Sequence, residues 1–110
     1  MSYYVVKEIA PKKPTEGVEM RVISGDKMTM AFFHLEPGAE IPVHSHPHEQ
    51  IGTVLKGSIE LIIDKEKQVV KEGNAYLVRS DVIHSGRCLE SPSEVLEVFS
   101  PPREDYIQKA

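Results

Sequence analysis

Three of the five histidines of this 110-residue chain fall within five positions, in the run Val43-His44-Ser45-His46-Pro47-His48-Glu49-Gln50. A neutral imidazole offers one lone pair to a metal ion, and histidine is the commonest protein ligand for transition metals. His44 and His46 are two apart, so on a strand they project from the same face. Two imidazoles on one face can share one ion. His48 and Gln50 keep the same parity, although Pro47 is expected to bend the chain between them. Glu49 has the opposite parity and is the poorer candidate despite its charge. A metal site needs more donors, and the remote candidate is His84, in a loop between two strands. Three neutral imidazoles suit divalent Zn, Ni, Fe, Mn or Co. A fourth donor could be the side-chain oxygen of Gln50, or His48, or Glu49. The bland alternative is a set of surface loop histidines that bind metal only incidentally. His34, on an amphipathic strand, is read as structural or as a rim residue.

A second set of residues lies near the C-terminus, in Glu94-Val95-Leu96-Glu97-Val98-Phe99-Ser100-Pro101-Pro102-Arg103. Val95, Glu97 and Phe99 share one face of a strand, and Leu96 and Val98 share the other. A carboxylate between apolar neighbours is unusual. If Glu97 points inward it is desolvated near the metal and becomes a candidate acid or base. The alternative is a solvated position. Arg103 follows two prolines that stiffen its approach, and it could bind a substrate carboxylate with two parallel hydrogen bonds. Its alternative is a surface ion pair with Glu104 or Asp105.

The elements that must position these groups read as strands. Eight prolines and seven glycines break the chain into short runs rich in Val, Ile, Phe and Tyr, with few helix signals. That pattern predicts a sandwich or barrel of short strands. Strands are expected over Tyr3–Ile9 (an edge, ended by Pro11 and Pro14), Val18–Ser24, Met28–Leu35, Ile41–His46, Gln50–Leu55 and Ser58–Ile63. A charged hairpin tip over Asp64–Lys67 leads to Gln68–Lys71, and Ala75–Val78, Ser85–Leu89 and Glu94–Phe99 complete the set. Turns fall at Gly25-Asp26, Glu36-Pro37-Gly38, Lys56-Gly57 and Gly73-Asn74. Residues 103–108 could form a short terminal helix. So many strands in so few residues favour a closed or nearly closed barrel.

Composition sets outer bounds. The length fits one domain, residues 1–110, around one core. A net charge of −4 and scattered basic residues argue against nucleic acid as the main partner. No apolar run approaches the roughly 20 residues of a membrane helix, and the N-terminus lacks the pattern of a secretory signal. A single cysteine, Cys88, excludes an internal disulfide and is read as a small buried residue. The simplest expectation is a soluble cytoplasmic protein. Met20, Met28 and Met30 are expected to fill the core or pocket. Tyr76 and Arg79 are read as packing residues in preference to a pocket rim.

The spacings carry a resemblance. Gly38, five residues, His44-Ser45-His46, three residues, Gln50, six residues, Gly57 resembles the first cupin motif, with Gln50 where Glu is usual. Gly73, ten residues, His84 resembles the second, with Arg79, Asp81 and Cys88 in place of Pro, Gly and Asn. The resemblance spans about residues 28–99. It implies an all-β fold, a double-stranded β-helix or jelly-roll barrel, with metal ligands His44, His46, Gln50 and His84. It also makes His48 a rim or supporting residue and implies a homodimer through the outer strands. The His-x-His-x-x-x-Gln form, joined to the terminal Val98-Phe99-Ser100-Pro101 run and Arg103-Glu104-Asp105, is similar to small cupins of the KdgF type. Those take part in pectin and alginate breakdown and open the ring of unsaturated monouronates. The resemblance implies that Glu97, Phe99 and Arg103 line the pocket above the metal, with Glu97 one methylene longer than the Asp common in that family. A neutral Gln50 leaves about the full +2 charge on the ion, which suits Lewis-acid chemistry better than oxygen chemistry. The expected activity is metal-dependent ring opening of a small anionic sugar. The alternatives are another metal-cupin isomerase or dioxygenase, or a non-enzymatic cupin that binds a small molecule.

Overall fold

A computed structural model describes residues 2–107. Ten strands form two antiparallel sheets. The first holds β1 (Lys12–Thr15), β2 (Val18–Ser24), β3 (Thr29–Leu35), β5 (Glu49–Lys56), β8 (Ala75–Val78) and β10 (Ser93–Ser100), in the order β1-β2-β3-β10-β5-β8. The second holds β4 (Glu40–His44), β6 (Ser58–Ile63), β7 (Glu66–Lys71) and β9 (His84–Cys88), in the order β4-β9-β6-β7. A short helix α1 (Glu104–Ile107) follows the last strand. This is the jelly-roll expected from the sequence.

Alternation builds the interior. On β3, residues 29, 31, 33 and 35 are buried and their neighbours partly exposed. On β10, Ser93, Val95 and Phe99 are buried, and Val54 on β5 faces the same way. Ile59 and Leu61 from β6 and Cys88 from β9 meet them from the second sheet. Cys88 is fully buried as expected, with its thiol near Leu35 O and Ser93 Oγ. Gly57 turns β5 into β6 at φ +82°, and a side chain there would run into Ser93 and Pro92.

Several expectations need correction. Tyr3–Ile9 is not a strand: it holds a 3₁₀ turn at Val6–Glu8, and Tyr3 is 89% exposed. The edge strand is β1, which contains Pro14 rather than ending before it. An edge leaves one row of N–H groups unpaired, so proline is tolerated there. Met28 is 54% exposed beside the Gly25 turn, where Gly25 N–H donates to its carbonyl, and is not core; Met20 is core. The hairpin tip after β6 is shorter than expected, because β7 begins at Glu66. His46 lies beyond the end of β4, and His84 is the first residue of β9 rather than a loop residue. The terminal helix begins at Glu104; Gln108 lies outside the described residues.

Candidate metal centre

Register brings the histidines together. His44 on β4 pairs directly with His84 on β9. Their ring centroids are 4.2 Å apart. His46 reaches the same point from the loop after β4. That loop is clamped to the loop before β9: Asp81 N–H donates to His46 O at 2.8 Å, and Ser80 Oγ donates to Pro47 O at 2.7 Å. One ligand atom from each of His44, His46 and His84 lies within 4.8 Å of the other two.

Each ring is held by its Nδ1 against a backbone carbonyl: His44 on Pro42 at 2.7 Å, His46 on His48 at 3.1 Å and His84 on Val82 at 2.8 Å. A carbonyl only accepts, so each Nδ1 carries the proton and each Nε2 keeps its lone pair. Nε2 of His46 and of His84 is buried without a hydrogen-bond partner. So is the side-chain oxygen of Gln50, a residue 4% exposed on β5. Buried polar atoms are normally satisfied, and these three orphans are all lone-pair donors, the kind of group a divalent cation takes. The donor set fits a metal ion, and Glu49, exposed on the other face, does not join it. His48 stands behind His46, with ring centroids 5.3 Å apart, and its carbonyl orients that ring.

Burial holds His46 neutral, with its pKa lowered to about 4; the charge of Arg103 and the neighbouring imidazoles act in the same direction. His84 is lowered too, again chiefly by burial. Burial thus favours the neutral, ligating form of both rings. The shift also predicts a stability effect in the chelated protein. An unfolded histidine titrates near pH 6.5, so between there and pH 4 the unfolded chain binds a proton that folded His46 refuses. Stability of the metal-free protein should fall with pH, by about 2 kcal/mol between pH 7 and 5 from this residue. Urea denaturation at the two pH values measures it, and a His46→Gln variant should show a flatter dependence.

Glu97 points inward. One row of the first sheet reads Val22, Ala31, Glu97, Gly52, Tyr76, each residue paired with the next. Glu97 Oε2 accepts a hydrogen bond from Gln50 Nε2 at 2.9 Å and a short one from the Tyr76 hydroxyl. Burial raises the Glu97 pKa, while the bonds from Tyr76 and Gln50 and the Arg103 charge pull it back. Such a carboxylate can both take and return a proton.

Arg103 is 6% exposed, and the ion pair with Asp105 offered as its alternative reading is formed, though not at the surface. Its backbone N–H donates to Thr29 Oγ1, and its guanidinium donates to both oxygens of Asp105, at 2.9 and 2.6 Å. It packs over Tyr106 at 4.0 Å and Phe99 at 4.9 Å from the ring centroids. Burial, the largest influence, works against its charge, but the bonds to Asp105 together with the charges of Tyr106, Asp105 and Glu97 carry the net shift upward. The third nitrogen, Nη1, is buried without a partner. His44, Gln50, His84, Glu97, Phe99 and Arg103 all line one cavity of about 70 Å³. Its remaining wall is mostly apolar, from residues such as Phe33, Ile41 and Leu61. Tyr76 also lines it, although the sequence reading prefers packing to a pocket rim for this residue. Only the registers of β8 on β5 and of β5 on β10 place Tyr76 in line with Glu97. Arg79 is exposed and lies outside the cavity wall. His34 sits away from the site, between Glu94 and Glu36, which raise its pKa.

Residues 31–99 match the model of the cupin domain family. Over 107 residues the chain is 32% identical to the pectin degradation protein KdgF of Dickeya dadantii, covering 96% of this chain and 97% of that protein. The structure of KdgF from Halomonas sp. superposes with a TM-score of 0.90 at 26% identity, covering 97% and 99% of the two chains. An RmlC-like cupin from Shewanella frigidimarina gives 0.91 at 22% identity, covering 97% and 96%, and speaks for the fold alone. No helix among the described residues is long and apolar enough to cross a membrane.

Proposed function

Because the chain belongs to the cupin domain family and is related to KdgF along nearly its whole length, we propose that it is a metal-dependent enzyme that opens the ring of an unsaturated monouronate. The observation that carries this reading is the convergence of an unpartnered arginine nitrogen, a buried carboxylate and the candidate metal donors His44, Gln50 and His84 on one small cavity. That cavity is small against the usual ligand pocket and suits a monomer rather than a polymer segment.

His44, His46 and His84, through Nε2, and Gln50, through its side-chain oxygen, would hold the ion. A divalent ion there supplies Lewis acidity to a substrate hydroxyl or ring oxygen. Everything else falls to side chains. Arg103, fixed by Asp105, offers Nη1 to the substrate carboxylate. Phe99 and the apolar wall limit water and shape the pocket. The reaction is an isomerisation. The anomeric hydroxyl gives up its proton, the bond from the anomeric carbon to the ring oxygen breaks, and that oxygen becomes an enol oxygen. A proton delivered to the vinylic carbon then yields a ketone next to the carboxylate, with the new aldehyde at the former anomeric carbon. Glu97, raised in pKa by burial and central in the pocket, is the group that moves the proton. The expected homodimer would use the outward row of Met30, Val98, Ile51 and Leu77.

Incubating metal-loaded protein with unsaturated galacturonate tests the reading. Open-chain keto-aldehyde acid should accumulate well above the buffer rate. Product forming no faster than in buffer sinks the proposal, and oxygen uptake by an iron-loaded sample would favour a dioxygenase. Arg103→Lys should raise KM about 10- to 100-fold with a smaller change in kcat, because an ammonium cannot keep the two-point grip on Asp105 and still serve the substrate. Steady-state kinetics separates the two parameters.

A further inference from the structure

A glutamine ligand has a problem that a glutamate ligand lacks. Its oxygen can bind a cation, but its nitrogen cannot, and the two ends of the amide are nearly the same size. Something must decide which end faces the histidines. In this structure Gln50 Nε2 donates to Glu97 Oε2 at 2.9 Å, and the amide oxygen is thereby left buried and unpartnered on the other side. A carboxylate accepts only, so it selects the nitrogen. The selection works only while Glu97 itself is held in place.

Tyr76 is what holds it. On β8 it is paired with Gly52 on β5, and Gly52 is paired in turn with Glu97 on β10. Tyr76 must therefore cross a whole strand to reach Glu97. It can because residue 52 has no side chain: a Cβ there would overlap Cζ and the hydroxyl of Tyr76. The hydroxyl donates to Oε2, the same oxygen that receives Gln50. Both bonds fall on Oε2, which leaves Oε1 for the pocket. Burial keeps the phenol protonated and so a donor.

We propose that Tyr76 is a positioning residue: reaching across Gly52, it fixes Glu97 so that Gln50 presents its oxygen, not its nitrogen, to the three histidines. The proposal rests on the reading of the histidine cluster as a metal centre and deepens it. It needs nothing from the identity of the substrate. Its chemistry is that of the supporting hydrogen bonds around metal ligands, whose loss typically costs about 10- to 100-fold in affinity.

The test is cobalt(II) binding to the metal-free protein, followed by visible absorption, without substrate. Tyr76→Phe keeps the ring that fills the space over Gly52, so the melting temperature of the metal-free protein should stay near wild type. Cobalt should bind about tenfold more weakly, and its absorption bands should change. In a Gln50→Ala background, which has no amide to orient, Tyr76→Phe should cost less than about twofold. Gly52→Ala leaves the tyrosine but takes its path, and should give the same weakening and altered bands. The proposal is overturned if Tyr76→Phe matches wild type in affinity and spectrum. It is also overturned if the tenfold loss persists in the Gln50→Ala background, since Tyr76 would then act on packing alone. A wild type that binds no cobalt would remove the metal centre and this proposal together. A wild type that binds cobalt as described yet leaves uronates unchanged would overturn only the ring-opening reading.

Discussion

Glu97→Gln is expected to lower kcat for an unsaturated monouronate by about 10²- to 10⁴-fold, the usual worth of a positioned acid or base. The substitution preserves volume and leaves a carbonyl oxygen to accept from the Tyr76 hydroxyl. It removes the one carboxylate among the described residues of the cavity wall, a group whose proton affinity burial has raised. KM should change little, because the substrate carboxylate is assigned to Arg103. Metal binding should weaken as well, because an amide at position 97 no longer selects the nitrogen of Gln50, so kcat is compared at saturating metal. A Glu97→Gln enzyme with wild-type kcat would take the proton-moving role away from this residue.

His84→Ala is expected to have the second large effect, on the metal. The three imidazoles are each preset by a carbonyl on Nδ1, so the site is organised before the ion arrives. Removing one ligand should weaken binding by more than about 100-fold, beyond the cost of losing a supporting bond. The consequence is visible without activity. With free metal at about 1,000 times its dissociation constant, the wild type should gain about 4 kcal/mol of stability, and a 100-fold weaker variant only about 1.4. Calorimetric unfolding with and without added metal reads the difference. An undiminished metal-induced shift in His84→Ala would exclude this histidine from the ligand set.

Local sequence reasoning reached the strands wherever an apolar run had turn residues on both sides. Val18–Ser24, Ser58–Ile63 and Ala75–Val78 stand in the structure with the boundaries expected. It failed at Tyr3–Ile9, where an aromatic run has strand propensity but no partner strand; propensity there reports only a fit to a half-buried surface. That Gln50 turns inward and Glu49 outward was legible because parity on one strand is a local property, and burial follows it. His46 reached the cluster by a different route from the one expected. β4 ends at His44, and the loop contacts of Asp81 and Ser80 carry His46 into place. The Tyr76–Gly52–Glu97 row was not legible at all. It depends on the register of three strands far apart in the chain, and register is a property of the sheet as a whole. Arg103 was ambiguous for a related reason. An arginine has five N–H donors, so one side chain can hold an ion pair and still keep a free nitrogen for a ligand.

The central claim is that this pocket, loaded with metal, opens the ring of an unsaturated uronate. Its most direct measurement is the loss of double-bond absorbance from unsaturated galacturonate, followed in one preparation before chelation, after chelation and after metal is restored. Fast loss that stops on chelation and returns with the metal is the predicted result. Loss at the buffer rate in all three states would contradict it.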